Sequence, residues 1–521
     1  MRKRLIICGA LILGGAILGA IAVRVVLRRL PGYVRERTIS TLRERFQSDV
    51  QFASLDVSVE LPRIRITGQG LVLRKVGGDE APPLIQITRF SAEAGLLELL
   101  RPTKHVGNAR LEGLWIQVPP RRKNGTTPAS PGKPAQKKER PPFSAVMDEI
   151  ISDQTQLDIL SAQPGKPPLS FEIHHLTLHD AGLGQPMIFH AELTNPRPPG
   201  EIVTTGHFGP WQKEEPRLTP LSGSYTFKDA DLGTFRGIAG ILSSDGKYKG
   251  TLERVEVDGE TATPDFRLSA SGHPISLKTN FHSIVDGTNG NTLLQPVRAQ
   301  FLRSLLLASG SVARTPGVKG RTVSLDVTAT QVQVEDLVRL VSKAAKPPLT
   351  GLTTFKAKFE LPPAEGDVLE RLKLTGEFRI DEARFTDPQV EQRLEELSQR
   401  GKGQPHALDA GDVLSDFNGK FVLRNGVMAF SDLTFRVPGA SVLLKGQYSL
   451  PTEEFDFSGT LRLQATISQM VGGWKSILLK PLDPLFKRAG AGTVIPIRIT
   501  GTGNKPVFSV EVGRALMRKN Q

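Results

Sequence analysis

Downstream of residue 50 the apolar side chains recur at every second position in short runs, the period of a strand with one buried face. Val57 and Val59, Ile64 and Ile66, Leu71 and Leu73, Ile85 and Ile87, then Leu114, Ile116 and Val118 mark the first of these. The stretch 419–437 predicts a hairpin: Phe421 and Leu423 alternate with Val422 and Arg424, Asn425-Gly426 supplies the two left-handed residues of a tight turn, and Met428, Phe430, Leu433, Phe435 and Val437 follow. Leu444, Gly446, Tyr448 and Leu450 then alternate, as do Phe455, Phe457, Gly459, Leu461 and Leu463. Val494, Pro496 and residues 497–499 and a closing strand at 507–512 complete the pattern. Asp245-Gly246, Asp258-Gly259, Asp286-Gly287 and Asn289-Gly290 punctuate the middle of the chain as turns. The expected fold is mainly β, an antiparallel meander of strands about 6 to 10 residues long. Its apolar face needs a cover, and alternation fits a closed sandwich core and an open trough equally well.

A period of 3.6 appears in fewer places. Residues 31–46 predict an amphipathic helix with Val34, Ile39, Leu42 and Phe46 on one face. Short helices are expected around 92–100, at 144–157 and at 333–343. A further one, at 388–400, is capped by Thr386 or Asp387, stops at Gly401 and presents Val390, Leu394 and Leu397. Residues 468–488, broken at Pro481 and Pro484, carry Trp474, Ile477, Leu478, Leu482, Leu485 and Phe486 beside Lys475, Lys480, Lys487 and Arg488. Such a helix suits either a membrane interface or the end of an apolar trough.

The N-terminus departs from alternation altogether. Residues 5–23 run without a charge after Arg2, Lys3 and Arg4, and at about 1.5 Å per residue they reach roughly 28 Å, close to a bilayer's hydrocarbon thickness. Leu5, Ile6, Ile7, Leu11, Ile12, Leu13, Ile17, Leu18, Ile21 and Val23 would face the lipid of such a membrane anchor. Ala20-Ile21-Ala22 offers a signal-peptidase site, so cleavage is the competing reading; the run exceeds a usual signal core of about 7 to 15 residues, which favours the anchor. The basic N-terminal cluster orients the N-terminus inside and the bulk across the membrane. Cys8, the one cysteine, lies within this run, so no intramolecular disulfide forms.

Composition supports turns and strands, with 51 Gly and 38 Pro in 521 residues. The net charge of +14 suggests nucleic acid until its position is considered. Residues 1–50 hold 10 Lys/Arg against 3 Asp/Glu, residues 119–143 hold 7 against 1, and the rest is about neutral. No basic stripe remains for a phosphate backbone, and no nucleic-acid partner is expected. Residues 119–143, rich in Pro, Lys and Arg and poor in large apolar side chains, read as a disordered linker.

Candidate chemistry is sparse. His174, His175 and His179 form the densest cluster of metal-ligand types, but His175 and His179 on one face of a strand stand about 13 Å apart, too far to share an ion. Residues 286–291, "DGTNGN", lack the acidic spacing and closing Glu of a calcium loop and read as a turn. Neither a nucleophile elbow, a phosphate-binding glycine loop nor a His/Glu metal helix is found, so neither an enzyme nor a cofactor is expected.

The apolar N-terminal run, "LPRIRITGQGLVLR" with "PPLIQITRFSAEAGLLELL" and "HVGNARLEGLWIQVPP", and the ending from "VLSDFNGKFVLRNGVMAFSDLTFRVPGASVLLKGQYSL" to "VIPIRITGTGNKPVFSVEV" resemble the AsmA family of envelope proteins, whose relatives include TamB and YhdP. Both ends carry the likeness; residues 200–340 resemble the family's repeats in style alone. The resemblance implies a division into an anchor (1–29), an N-terminal β region (30–118), the linker (119–143), a β-repeat middle (144–385) and a C-terminal β region with amphipathic helices (386–521). It also implies an elongated, twisted β-groove, anchored in the bacterial inner membrane with its bulk in the periplasm. That groove would shield or conduct phospholipid toward the outer membrane, with outer-membrane or periplasmic proteins as further partners. The other function it implies is a scaffold for outer-membrane protein assembly that carries no lipid. Phe421, Leu423, Leu444, Tyr448, Phe457, Leu461 and Leu463 are the groove-lining candidates, and Trp474, Ile477, Leu478, Leu482 and Phe486 the candidates for an interfacial or end-plugging helix.

Overall fold

In the computed structural model the described residues are 32, 36, 39–40, 48–60, 62–75, 83, 85–95, 104–118, 145–159, 168–182, 184–212, 215–269, 271–314, 320–343, 346–363, 366–404, 415–466, 468–469, 492–502 and 505–510. Strands dominate them, as the alternation predicts. Two compact units emerge: residues 1–228 with 247–252, and residues 229–246 with 253–521.

The first unit contains β1 (Ser48–Gln51), β2 (Ser54–Glu60), β3 (Arg63–Lys75), β4 (Ile85–Gly95), β5 (Lys104–Val118), β6 (Ala145–Ile159), β7 (Leu169–Ala181), β8 (Met187–Pro196) and β9 (Pro199–Phe208). To these it adds most of β10 (Pro220–Asp231). Both β1 and β2 pair with β3, one with each half of it. Each later strand pairs with the next, antiparallel except at one place. Val50, Leu71, Leu73, Ile87 and Leu114 form the buried cluster of this unit.

The exception is β5 and β6, which run parallel, with Lys104 opposite Ala145 and Val118 opposite Ile159. Parallel neighbours require a long return connection, and residues 119–144 supply it. The chain must travel back about 46 Å, fourteen steps at roughly 3.3 Å, which 26 extended residues span easily. This corrects two expectations at once. The meander is not antiparallel throughout, and 144–157 is strand where a helix was expected. Ile150 and Leu157 satisfy a helical spacing, but pairing on both edges with β5 and β7 satisfies the whole backbone of the segment, and that outweighs local preference. Gln154 within it adopts φ 57°. The helix expected around 92–100 is likewise corrected, because Ala92, Glu93, Ala94 and Gly95 belong to β4.

The second unit contains β11 (Ile238–Ala239), part of β12 (Ile241–Thr251), β13 (Arg254–Leu268), β14 (Ile275–Val285), β15 (Thr292–Phe301), β16 (Ser304–Ala313) and β17 (Thr322–Gln333). Then follow β18 (Leu349–Leu361), β19 (Lys373–Phe385), β20 (Ser415–Arg424), β21 (Val427–Val437), β22 (Ala440–Ser449), β23 (Glu454–Leu463), β24 (Thr493–Thr502) and β25 (Lys505–Val510). From β13 to β25 every strand is antiparallel to its successor. Many of these strands are longer than expected, β13 reaching 15 residues.

Among the described residues three α-helices lie between these strands: α1 (Val334–Val341), α2 (Val368–Arg371) and α3 (Pro388–Gly401). In α3 the expected start holds, since Asp387 accepts from the backbone N–H of Gln389 at 2.8 Å and Pro388 occupies the first turn. Leu397 packs against the buried cluster of Val437, Ala440 and Leu463, and the Ser398 hydroxyl donates to the Pro438 carbonyl at 2.7 Å. One end of β21 to β23 is thereby capped. In α1 the buried Asp336 accepts from the Ser304 hydroxyl at 2.7 Å and from the Arg303 N–H at 3.1 Å, tying the helix to the turn between β15 and β16. Val334 packs with Ile380 and Ala383, capping the same end of β19.

Gly32, Glu36, Ile39 and Ser40 are helical, in keeping with the expected helix there. The anchor residues of 5–23, the linker 119–143 and the body of the helix expected at 468–488, from Trp474 to Phe486, lie outside the described residues; Ser468 and Gln469, at its start, form a turn. Among the described residues no helix is long and apolar enough to cross a membrane.

Candidate functional site

Directly opposed residues of an antiparallel pair share a face, so the register assigns every side chain of β13–β25 to one of two faces. Phe281 lies opposite Val297, Val297 opposite Ala308, Ala308 opposite Val327, and Val327 opposite Ala357. The row continues through Gly376, Phe421, Phe430, Gly446, Phe457, Ile499 and Phe508. Applied to every pairing between β13 and β25, this assignment places no charged side chain on that face. The other face carries the charge, including Glu377, Arg379, Lys420, Asp432, Lys445, Asp456 and Arg498.

Bulges keep the two faces pure. Phe430 and Leu433 are three residues apart, which in a regular strand would place them on opposite sides, yet both face the apolar side because the register shifts between them. The same happens between Leu294 and Val297, Ala329 and Val332, and Ile380 and Ala383. At two of these bulges Gln331 and Glu382 adopt φ 55°. The extra residue absorbs the change of parity.

All seven predicted lining residues come together on the uncharged face. Phe421, Leu444, Tyr448, Phe457 and Leu461 are half-buried there, whereas Leu423 and Leu463, 2% and 4% exposed, lie at strand ends, Leu463 in the cluster packed by Leu397 of α3. Burial pushes the Tyr448 phenol upward, with the Glu453 charge adding to it. Sequence reasoning missed the N-terminal half of the face, Phe281, Phe355, Phe359 and Phe378 among it.

Half-burial is informative. Leu, Phe and Ile in the middle of a sandwich strand would be fully enclosed by the opposing sheet. Here Phe355, Phe378, Phe430, Ile497 and Ile499 all retain access to solvent, while Leu433, Ile380 and Ala329 on the same face are buried, as are Val437, Ala440 and Leu463 at strand ends. Neighbouring strands approach closely on this face. At Gly446 a Cβ would collide with the Asp456 carbonyl and approach the Phe457 Cα to 2.7 Å, and at Gly459 it would strike the Leu443 carbonyl. Glycine is what admits that approach.

The aromatic rings concentrate at one part of the face. Phe378 packs edge-on to Phe417 at 5.4 Å and near Phe421 at 6.3 Å, while Phe430 and Phe457 lie 5.8 Å apart.

The remaining candidate chemistry lies in the first unit. His175 Nδ1 lies 2.8 Å from Asp153 Oδ1, its Nε2 lies 3.0 Å from the Thr177 hydroxyl, and Arg110 donates to the other Asp153 oxygen at 3.1 Å. Hydroxyl, imidazole and carboxylate stand in the order of an activated nucleophile. His175 and Asp153 are 39% and 33% exposed, however, so the chain of hydrogen bonds faces solvent. His175 and Arg110 hold the Asp153 carboxyl below its usual range. His179 lies near Glu149 instead, and His174 bonds Thr194, so the three predicted histidines engage separate partners. Asp286 closes its own turn, accepting from the Thr288 N–H at 2.9 Å and from Asn289.

No family model, curated protein or solved structure matches this chain.

Proposed function

We propose that this chain shields the hydrocarbon of membrane lipid on the uncharged face of its sheet, as a groove-forming phospholipid carrier between two membranes. The observation that carries the reading is a face without charge on which Phe355, Phe378, Phe430, Leu444, Ile497 and Ile499 are only half-buried. Water against such a face is costly, at about 25 cal/mol per Å² of apolar surface, and an acyl chain laid on it removes that cost for both partners, roughly 0.8 kcal/mol per CH₂. Residues 5–23 anchor the chain in the inner membrane, and the β units lie in the periplasm, where the route to the outer membrane begins. The AsmA resemblance of both chain ends supports the same reading.

The test is extraction of the purified full-length chain followed by mass spectrometry of lipids and a phosphate assay. Phospholipid in fixed ratio to protein is expected. A lipid-free preparation that still restores envelope integrity to cells lacking the protein would favour an assembly scaffold instead. N-terminal sequencing of the mature protein checks the anchor: a start at Val23 removes it.

A further inference from the structure

Side-chain size is uneven along the floor of the uncharged face. From β15 to β19 the row Val297, Ala308, Val327, Ala357 and Gly376 contains nothing larger than valine. Phe281 closes this row at one end and Phe421 at the other. Across strands about 4.8 Å apart, Val297 to Gly376 measures roughly 19 Å, the scale of one long extended acyl chain. At β18 and β19 the floor is walled on either side, whereas toward β15 the flanks include Ala329, Gly310 and Ala299. Phe355 and Phe359 flank Ala357, and Phe378 and Leu374 flank Gly376. Residues four apart on a strand lie about 13 Å from each other, and two aromatic walls leave room between them for one chain's width. At Gly376 a Cβ would lie 2.5 Å from the Lys356 carbonyl oxygen and 2.9 Å from the Ala357 Cβ, so the floor cannot carry more bulk without moving.

The chemistry of the slot selects its occupant. It presents no charge, and the ladders on both sides of each strand consume the backbone donors and acceptors. A peptide placed there would leave its own N–H and C=O groups unpaired, at a cost of about 1 to 3 kcal/mol each. A hydrocarbon has none to pair. We infer that the row from Val297 to Gly376 is a track for a single unbranched acyl chain lying across β15–β19, and that Phe421, packed with Phe378, is the stop at its end. This rests on the lipid-shielding function proposed above and adds to it a place, a width and a length.

The experiment uses the full-length chain in vesicles of phosphatidylethanolamine and phosphatidylglycerol containing phosphatidylglycerol with a diazirine in its acyl chain. Adducts are mapped by mass spectrometry after illumination. They are expected to concentrate on β16–β19, at Val327, Ala357 and their flanking Phe355 and Phe359, and to be sparse at Ile497 and Ile499. Ala357→Phe is expected to lower the yield on these strands roughly ten-fold, the effect of about 1.4 kcal/mol of lost fit. Val327→Phe serves as a second variant should the first fail to fold, with Thr328→Phe on the polar face as the control. Adducts spread evenly along the face, or found only beyond Phe421, with yields unchanged in both floor variants, overturn the track while leaving lipid shielding in place. Absence of adducts anywhere on the face removes both.

Discussion

Leu443 and Leu444 are neighbours in sequence and stand on opposite faces of the same strand. Leu444 lies between Leu433 and Gly459 on the uncharged face, whereas Leu443 lies between Thr434 and Thr460 on the polar one. Both are half-buried leucines, so composition and exposure do not distinguish them. Their surroundings do.

Leu444→Asp is therefore expected to abolish phospholipid retention while the chain still folds, because a half-buried position admits water around the new carboxylate. Leu443→Asp, among threonines, should leave lipid content unchanged. Melting temperature and bound phosphate measured together decide the matter. A collapse of the melting temperature in the Leu444 variant, the mark of an enclosed core with several kcal/mol at stake, would falsify the open face.

Gly459→Val tests the close approach of β22 and β23. The new side chain would meet the Leu443 carbonyl, and overpacking of this kind costs about 1 to 3 kcal/mol. Chemical denaturation should show a lowered midpoint for this variant and little change for Ser458→Val, on the opposite face. Equal midpoints would mean that the strands do not approach as closely as the geometry requires.

Asp336→Ala removes the acceptor of the Ser304 hydroxyl and the Arg303 N–H at a site 4% exposed. Leaving those donors buried is expected to cost about 1 to 3 kcal/mol. Asp336→Asn, which keeps an acceptor oxygen, should recover part of it. Hydrogen exchange at Arg303 reads the same bond directly, and protection unchanged in Asp336→Ala would contradict it.

The Asp153 carboxyl is held low in the folded protein by His175 and then Arg110. A depressed folded pKa contributes stability that is full above the unfolded value, about 3.9 for aspartate, and is lost as pH falls through the folded one. Asp153→Asn should therefore be less stable than the parent at neutral pH, with the gap closing below about pH 4. Thermal melts of both proteins across that range supply the check, and a gap independent of pH would count against the assignment. The pair is partly exposed, so the effect is expected to be modest.

Shortening the segment 119–144 tests the parallel pairing of β5 and β6. About ten residues reach at most roughly 35 Å, less than the return of about 46 Å, and should prevent the pair from forming. A Gly/Ser segment of full length should be tolerated. Strand content by circular dichroism and protease resistance of β6 distinguish the two, and an unaffected short variant would overturn the register.

The sequence by itself determined most of what is local. Alternation marked the strands of 415–463 and placed Phe421, Leu423, Leu444, Tyr448, Phe457, Leu461 and Leu463 on consistent sides of them. Asn425-Gly426, with φ 52° and 73°, identified the hairpin, and Asp387-Pro388 the start of α3. These signals act within a few residues, through backbone conformation and capping. What only the tertiary structure decided is non-local. Residues 145–159 became a strand because β5 and β7 pair with both of their edges. Phe430 and Leu433 share a face because a bulge, visible only against β20 and β22, shifts the parity between them. Whether the apolar side of Phe378 or Ile497 meets another sheet or remains open is likewise unwritten in a period of two, since alternation records that one side of a strand is apolar and says nothing of what lies against it.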